Sequence, residues 1–163
     1  PFPVHLMGVH SHTHAGYAPL VDYASWRVAL LNYSPELNSQ ALLKMQRHNE
    51  TDEVFVILQG KCLLLLGDGD MQISALFGEL LQPGSLYNVR KGVWHNHVLS
   101  RDAKVLVVEN RNTTFNNSPF LDLTQDQSDT LLLWPRDMCQ FQIIKNQLGP
   151  STIYKAWARQ EAV

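Results

Sequence analysis

Short apolar runs alternate with turn residues over most of the chain, from about residue 25 to residue 109. The runs are four to nine residues long and rich in Val, Leu, Ile and aromatic side chains. Runs of that length and composition are typical of β-strands rather than helices. We predict nine strands, at Ser25–Tyr33, Ala41–His48, Val54–Gln59, Cys62–Leu66, Met71–Ser74, Glu79–Gln82, Leu86–Val89, Trp94–Leu99 and Lys104–Glu109.

Turn chemistry between the runs supports a sheet fold. Gln59–Gly60 and Gly67–Asp70 are predicted to close tight hairpins, because glycine tolerates the positive φ that such turns require. Pro83–Gly84 and Lys91–Gly92 are predicted breaks of the same kind. Short strands without a longer internal repeat predict an all-β double-sheet jelly roll or a small barrel.

Three candidate functional side chains lie at or near the ends of predicted strands. His48 closes one strand, Glu53 precedes the next, and His95 lies at the start of a third. Because successive strand residues face opposite sides, His48 shares a face with Gln46, and Glu53 shares one with Phe55. These polar groups would surround the mouth of a small apolar interior, which is the usual composition of a ligand pocket.

Two imidazoles and one carboxylate form a ligand set that suits divalent Fe, Mn, Ni or Zn and leaves positions open for water or substrate. Gln46 would add a neutral oxygen to that set. Two other interpretations stay open. His48, Glu53 and His95 would act without a metal, as acid–base or ligand-contacting groups, or they would only hydrogen-bond to one another at the barrel rim.

The same residues carry a resemblance to the two sequence motifs of the cupin superfamily. The first segment, QRHNETDEVFVILQG, contains His48, Glu53 and Gly60 at the spacing of the first motif. The second, GSLYNVRKGVWHNHVL, contains Gly92 and His95 at the spacing of the second. The resemblance implies a cupin-type double-stranded β-helix, that is, a jelly-roll barrel, with a short C-terminal helical extension.

The chain departs from the cupin pattern at three positions. Gln46 stands where the first motif has the first His of a His-x-His pair, Arg90 stands where the second motif has Pro, and Leu99 stands where it ends on Asn. The match covers roughly residues 25 to 110. One of the four ligands that the family pattern implies is therefore replaced by an amide.

Within the superfamily the chain is similar to ureidoglycolate lyases, through the pair Arg47 and His48 and the run Gly92-Val93-Trp94-His95. The resemblance implies a metal-dependent lyase or hydrolase of a ureido or hydroxy-acid metabolite, with His48, Glu53 and His95 as metal ligands and catalytic groups. The alternatives are a non-catalytic small-ligand-binding or sensor cupin, and another cupin enzyme such as an isomerase or a dioxygenase.

Further side chains are candidate substrate contacts, namely Lys44, Gln46, Arg90, Tyr87 and Trp94. Arg90 would offer a two-pronged donor to a substrate carboxylate, and Lys44 would hold an anionic group. Alternation turns Arg47 away from the face of His48. His97 has the parity of His95 but is predicted to lie deeper or past the rim.

Composition excludes several classes of partner. The 163 residues fit one domain, and 13 basic against 15 acidic side chains provide no charge excess for nucleic acid or an anionic membrane. The apolar run Leu63–Leu66 is far shorter than the roughly 20 residues that span a bilayer. No signal-peptide pattern stands at the N-terminus. We therefore expect a cytoplasmic protein with a small-molecule ligand. Cys62 and Cys139 are expected to be buried and to pack as small hydrophobic side chains.

The ends of the chain are expected to lie outside the barrel. We predict a leader or arm at residues 1–19, the barrel at 20–112, and an extension with short helices at 113–163. The alternating imidazoles of His10, His12 and His14 lack a carboxylate or cysteine partner, so they would bind metal only adventitiously.

Two helices are predicted in the C-terminal extension. Thr124 would cap the first, with Gln127 at its third helical position, and Ser151 would cap a second that runs to Ala162. Apolar side chains in the extension would be a liability on a monomer, so we expect a homodimer; these are Trp134, Phe141, Ile143 and Ile144.

Overall fold

The computed structural model of the protein describes residues 2–3, 5–37 and 44–133. Over these residues the chain forms ten strands, one short 3-10 turn at Pro35–Leu37 and one α-helix. The strands are β1 (Gly16–Tyr23), β2 (Trp26–Asn32), β3 (Lys44–Gln46), β4 (Glu53–Gln59), β5 (Cys62–Asp68), β6 (Ala75–Leu80), β7 (Tyr87–Val89), β8 (Trp94–Leu99), β9 (Lys104–Asn110) and β10 (Phe120–Asp122), and the helix is α1 (Gln125–Leu133).

The strands form two five-stranded sheets. The first sheet has the order β1-β2-β9-β4-β7 and the second has the order β10-β3-β8-β5-β6. Every pairing is antiparallel, and apart from the hairpins β1–β2 and β5–β6 the paired strands are not consecutive in the chain, as in a jelly roll. The predicted all-β jelly-roll fold is confirmed.

Apolar side chains fill the space between the sheets. Alternation along β4 and β9 turns Phe55, Ile57, Val105 and Val107 inward, where they are almost fully buried. The outer face of the second sheet is buried as well, because α1 and the 69–74 turn cover it. That second cluster comprises Met45, Leu63, Leu65, Ile73, Leu76, Leu80, Trp94, Val98 and Leu131.

Two predicted strands are wrong. The segments Met71–Ser74 and Glu79–Gln82 were expected to be separate strands, but one strand, β6, lies between their centres. The hairpin turn is longer than predicted: Ser74 N–H donates to the carbonyl of Asp68, and Gly69 has φ +119°. Ile73 lies in this turn and is buried against the outer face of the second sheet. Its apolar side chain therefore reflects packing of the turn and not a strand at Met71–Ser74.

Two strands were missed. β1 contains Pro19, and the pairing register shifts beside it, so its composition is not typical of a strand. Both features are tolerated because β1 lies at the edge of its sheet. β10 is only three residues long, and its pairing with β3 makes it recognisable. These strands lie partly or wholly outside the predicted barrel range of 20–112, and the division into domains stays a prediction.

The predicted cap of the first C-terminal helix is confirmed. Thr124 Oγ1 accepts from the Gln127 N–H at 3.3 Å, and the Gln127 side chain accepts from the Thr124 N–H at 3.0 Å. Cys139, the predicted helix at 151–162 and the apolar residues that favour a homodimer lie outside the described residues. Over the described residues no helix is long and apolar enough to cross a membrane.

Gly60 is expected to be the most sensitive of the turn glycines. It has φ +67°, and a Cβ there would lie 2.7 Å from the Cα of Ala103. Gly84 is the matched control, with φ +83° and open space around it. We expect Gly84→Ala to cost about 1–2 kcal/mol of backbone strain and Gly60→Ala roughly 1–3 kcal/mol more, measured by urea unfolding. Equal losses of unfolding free energy in the two variants would show that the backbone at Ala103 moves aside without a cost in stability.

Candidate metal centre

His48, Glu53 and His95 come together at one end of the interior. His48 follows β3, Glu53 is the first residue of β4, and His95 lies in β8. All three side chains are buried, and one ligand atom from each lies within 4.8 Å of the others. Glu53 Oε2 is 3.1 Å from His48 Nε2 and 2.9 Å from His95 Nε2. We call this group the triad.

Sheet pairing brings the three segments together. Gln46 of β3 is the cross-strand partner of His95 in β8, so the chain leaving β3 delivers His48 beside His95. The Gly92 N–H donates to the carbonyl of His48 at 2.8 Å and ties the two motif segments directly. The two imidazole centroids end 5.1 Å apart. The predicted meeting of segments far apart in sequence is therefore present in the fold.

The outer nitrogen of each imidazole has its own partner. His95 Nδ1 lies 2.9 Å from the carbonyl oxygen of Val93, and His48 Nδ1 lies 2.7 Å from Ser118 Oγ. Such partners fix ring orientation, and they direct the Nε2 atoms towards a shared point. Ser118 was not predicted, because it belongs to the 113–163 extension, which was expected to lie outside the barrel.

Proton accounting at His95 tests whether the triad fits a cation. The Val93 carbonyl only accepts, so His95 Nδ1 carries a proton, and Nε2 of the neutral ring is then a lone pair. That lone pair faces a carboxylate oxygen of Glu53 at 2.9 Å. Two acceptors at this distance need a second proton or a metal ion between them. A metal ion with bonds of roughly 2.0–2.2 Å at right angles holds its ligand atoms about 3 Å apart. The separations between Glu53 Oε2 and the two imidazole Nε2 atoms are close to that distance, so the residues fit a divalent metal.

Mutual charge interactions govern the protonation of the triad. Burial disfavours ionised Glu53, but hydrogen bonds and charge from His48 and His95 outweigh it and hold the pKa of Glu53 well below its usual range. Burial likewise disfavours protonated His48, and the hydrogen bond and charge of Glu53 outweigh it, so the pKa of His48 is raised. The carboxylate is therefore anionic at neutral pH and ready to balance a cation.

A second carboxylate, Glu109, also faces the interior at this end. The Val54–Val108 pair of the β4–β9 ladder places Glu53 and Glu109 at neighbouring positions on the same inner face. Tyr17 of β1 donates its hydroxyl to Glu109, and the carboxylate is buried. Burial raises the pKa of Glu109, and the charge of Glu53 adds to the effect. Alternation along β9 was a usable signal for Glu109, whereas Tyr17 lies in a strand the sequence did not reveal.

Of the predicted substrate contacts, Gln46 is the one that strand pairing places beside the triad. Gln46 is directly across from His95 on the inner face, where its side chain adjoins the imidazole. Lys44 is exposed at the start of β3, which lies between β10 and β8, and its ammonium is 4.7 Å from the centre of the Phe120 ring. Tyr87 packs against the inner core, and its hydroxyl accepts from the Gln82 N–H.

The structure does not bring two predicted contacts to the triad. Trp94 lies on the opposite face of β8 from His95, where its indole N–H donates to the carbonyl of Asp70. Alternation within the strand makes that position outward-facing. Arg90 is mostly exposed and pairs with Asp52 at 3.1 Å. Arg47 faces away as predicted and stacks over Trp94 at 4.5 Å.

The remaining candidate ligands are not part of a metal-ligand cluster. The triad is the one group of His, Cys, Asp or Glu found with metal-ligand spacing among the described residues. His10 and His14 are exposed, and the His12 ring lies 3.1 Å from the carbonyl oxygen of Gly16. Cys62 is fully buried, as predicted, and burial raises the pKa of its thiol.

No protein-family model and no curated protein matches the sequence. Among solved structures, the chain is similar to a cupin-2 domain protein from Shewanella frigidimarina, with 20% identity over 62% of this chain and 85% of that one, and a TM-score of 0.45. It is similar to KdgF from Halomonas, with 12% identity over 60% and 78% and a TM-score of 0.43. The chain is also similar to Pac13, a nucleoside dehydratase, with 8% identity over 71% of this chain and 86% of that one, and a TM-score of 0.49.

Such remote likenesses do not identify a substrate or a reaction. The fold assignment rests on the chain's own strand order, with two antiparallel sheets enclosing an apolar interior. The convergence of His48, Glu53 and His95 comes from the pairing of β3 with β8 and from the start of β4. The protein is accordingly a jelly roll of two five-stranded antiparallel sheets, with a group of side chains that could hold a metal ion at one end of its interior.

Proposed function

We propose that the protein is a metal-dependent enzyme acting on a small carboxylate-bearing metabolite. The observation that carries this proposal is the triad, in which two imidazole Nε2 atoms and a carboxylate oxygen converge while the outer imidazole nitrogens are held by Val93 and Ser118. His48, Glu53 and His95 would hold a divalent Zn, Ni, Mn or Fe ion. Bound there, the ion would polarise oxygen atoms of the substrate.

The chain's own residues would bind and orient the substrate around the triad. Gln46 lies beside His95 and offers an amide to a substrate oxygen. Lys44, exposed at the start of β3, would add its ammonium to the binding of the carboxylate at the triad. Phe55 borders His95 with its ring centre 6.1 Å away and gives the interior an apolar wall. The burial of the triad side chains favours a small metabolite over a polymer.

Glu109 is the group best placed to move a proton. Unlike Glu53, it makes no hydrogen bond to the triad imidazoles, and Tyr17 orients it. Its raised pKa brings the carboxyl closer to neutral pH, which is where an acid–base group works best. In this scheme Glu109 takes a hydroxyl proton from the substrate and later returns it to the leaving group.

The finer proposal is a lyase reaction on ureidoglycolate, motivated by the resemblance of the two motif segments to ureidoglycolate lyases. The hydroxyl proton would pass to Glu109 as the carbinol oxygen becomes the aldehyde of glyoxylate. The bond from that carbon to the ureido nitrogen breaks, and the nitrogen receives the proton and leaves as urea. Atoms and electrons balance without an oxidant.

The test is turnover of ureidoglycolate by metal-loaded protein, measured as urea released. Glu109→Gln is the matched variant: we expect it to keep the metal and lose about 10²–10⁴-fold in rate, the usual contribution of an acid–base group. Metal-loaded protein that neither releases urea nor is stabilised by ureidoglycolate or glyoxylate would contradict the lyase. A ligand at a hundred times its dissociation constant adds about 2.7 kcal/mol, so thermal-shift measurements would detect it.

A second candidate is a non-catalytic small-ligand-binding or sensor barrel. The observation that favours it is Gln46, which stands beside His95 in place of a further imidazole and leaves the site with three strong ligands. Thermal stabilisation by a hydroxy acid without product formation would support this function. Isomerisation or dioxygenation of the bound acid would instead support another enzyme of the same fold.

A further inference from the structure

A second histidine of β8, His97, faces the interior two residues beyond His95. Its side chain is 7% exposed, and neither ring nitrogen has a hydrogen-bond partner in the protein. Its cross-strand partner is Leu64 of β5, and the ring of Phe55 has its centre 5.9 Å from that of the imidazole. The imidazole therefore has largely apolar surroundings.

Such a position is unfavourable for an imidazole in the absence of a ligand. Buried polar atoms are almost always hydrogen-bonded, because an unpaired donor or acceptor loses its interaction with water and gains nothing in return. The next inward-facing position on the same strand is Leu99, which shows what this layer of the interior otherwise contains. Unpaired groups of this kind are often retained for function at a cost in stability.

The geometry connects His97 to the triad. Phe55 borders both imidazoles, with ring centres 6.1 Å from His95 and 5.9 Å from His97. Two residues along a strand advance by about 7 Å, so the two imidazoles on this face are one small molecule apart. A three- or four-carbon acid whose carboxylate lies at the triad would place its far end against His97.

We propose that His97 is a specificity-determining residue, which hydrogen-bonds an uncharged polar group, a hydroxyl or an amide, on a small acid whose carboxylate is held at the triad. The proposal rests on the proposed metal site. A neutral imidazole presents one donor and one acceptor, which match a hydroxyl or amide and not a second charge.

Ligand discrimination tests the proposal directly. The probes are 4-hydroxybutyrate and pentanoate, which carry a hydroxyl and a methyl group at the same position, titrated into Co²⁺-loaded protein and followed by the visible spectrum. We expect the native protein to prefer 4-hydroxybutyrate by about tenfold, the value of one good hydrogen bond. His97→Leu should abolish that preference, and His97→Gln, which keeps a donor and an acceptor, should retain most of it.

Stability of the metal-free protein provides a second readout. His97→Leu should raise the urea midpoint, because it replaces unpaired polar atoms with an aliphatic group of similar volume. Leu99→Ala, a packing control on the same face, should lower the midpoint without removing the preference for the hydroxyl. A fall in midpoint for His97→Leu as large as that for Leu99→Ala would overturn the proposal, because the imidazole would then have a purely structural role.

The two proposals fail in different ways. Native protein that does not bind Co²⁺ would overturn the metal site and the anchoring of the acid with it. Protein that binds Co²⁺ but shows no preference for 4-hydroxybutyrate, or shows the same preference after His97→Leu, would overturn the role of His97 and leave the metal site standing.

Discussion

Replacing either His48 or His95 with alanine is expected to abolish stoichiometric metal binding. Each residue supplies one of three ligand atoms that lie within 4.8 Å of one another, and two ligands compete poorly with water for a divalent ion. Loss of an outer-shell partner alone typically costs 10–100-fold in affinity, so loss of a ligand should cost more than about 100-fold. Calorimetric titration of untagged protein with Ni²⁺ or Zn²⁺ measures the effect.

Two variants serve as controls for that measurement. The triple alanine variant at His10, His12 and His14 should keep the barrel-bound ion, because His10 and His14 are exposed and none of the three belongs to the triad. His97→Ala should also keep it, because His97 is outside the ligand cluster. If the triple variant loses metal as completely as His48→Ala, the site lies at the N-terminus and not at the triad.

Glu53→Gln is expected to destabilise the metal-free protein in a pH-dependent way. Because the pKa of His48 is raised in the folded protein, this residue contributes stability. The contribution is fully present below about pH 6.5, the unperturbed pKa of histidine, and is lost as pH rises through the raised pKa. Because the pKa of Glu53 is lowered in the folded protein, this residue also contributes stability. The contribution is fully present above about pH 4.3, the unperturbed pKa of glutamate, and is lost as pH falls through the lowered pKa. Both contributions are present between these limits, so the loss should be greatest there.

The expected loss in that window is about 3–5 kcal/mol, the usual cost of removing one member of a buried charge pair. It should shrink as pH rises through the raised pKa of His48, because that imidazole then loses its proton. Urea unfolding in the presence of a chelator measures it, with the exposed Glu36→Gln as the control. A loss that does not vary between pH 5 and pH 8 would contradict the charge interaction between Glu53 and the imidazoles.

Local pattern was sufficient for most strands of the barrel. β2, β4, β5, β7, β8 and β9 lie at or within a residue or two of their predicted positions, because each is a compact apolar run bounded by turn residues. The Thr124 cap was equally local, since capping depends on residues three apart. The wrong predictions arose where local composition does not reflect the local structure. Ile73 lies in a turn and is apolar because it packs against a sheet. β1 forms a strand because it pairs with β2, and not because of its composition.

The candidate site divides in the same way. Spacing and alternation were enough to select His48, Glu53 and His95 and to turn Arg47 away from them, because both properties repeat along a single strand. Whether segments some forty residues apart meet depends on the pairing of β3 with β8, which no local rule determines.

The sequence by itself determined the fold class, the choice of His48, Glu53 and His95 as candidates and the apolar character of the interior, because strand periodicity and turn chemistry act between near neighbours. Only the tertiary structure decided that Ser118 and Val93 hold the imidazoles, that Glu109 lies beside Glu53, and that Trp94 and Arg90 do not reach the triad. The physical reason is that hydrogen-bond partners, desolvation and charge depend on packing between sheets, which brings together residues that are distant in the chain.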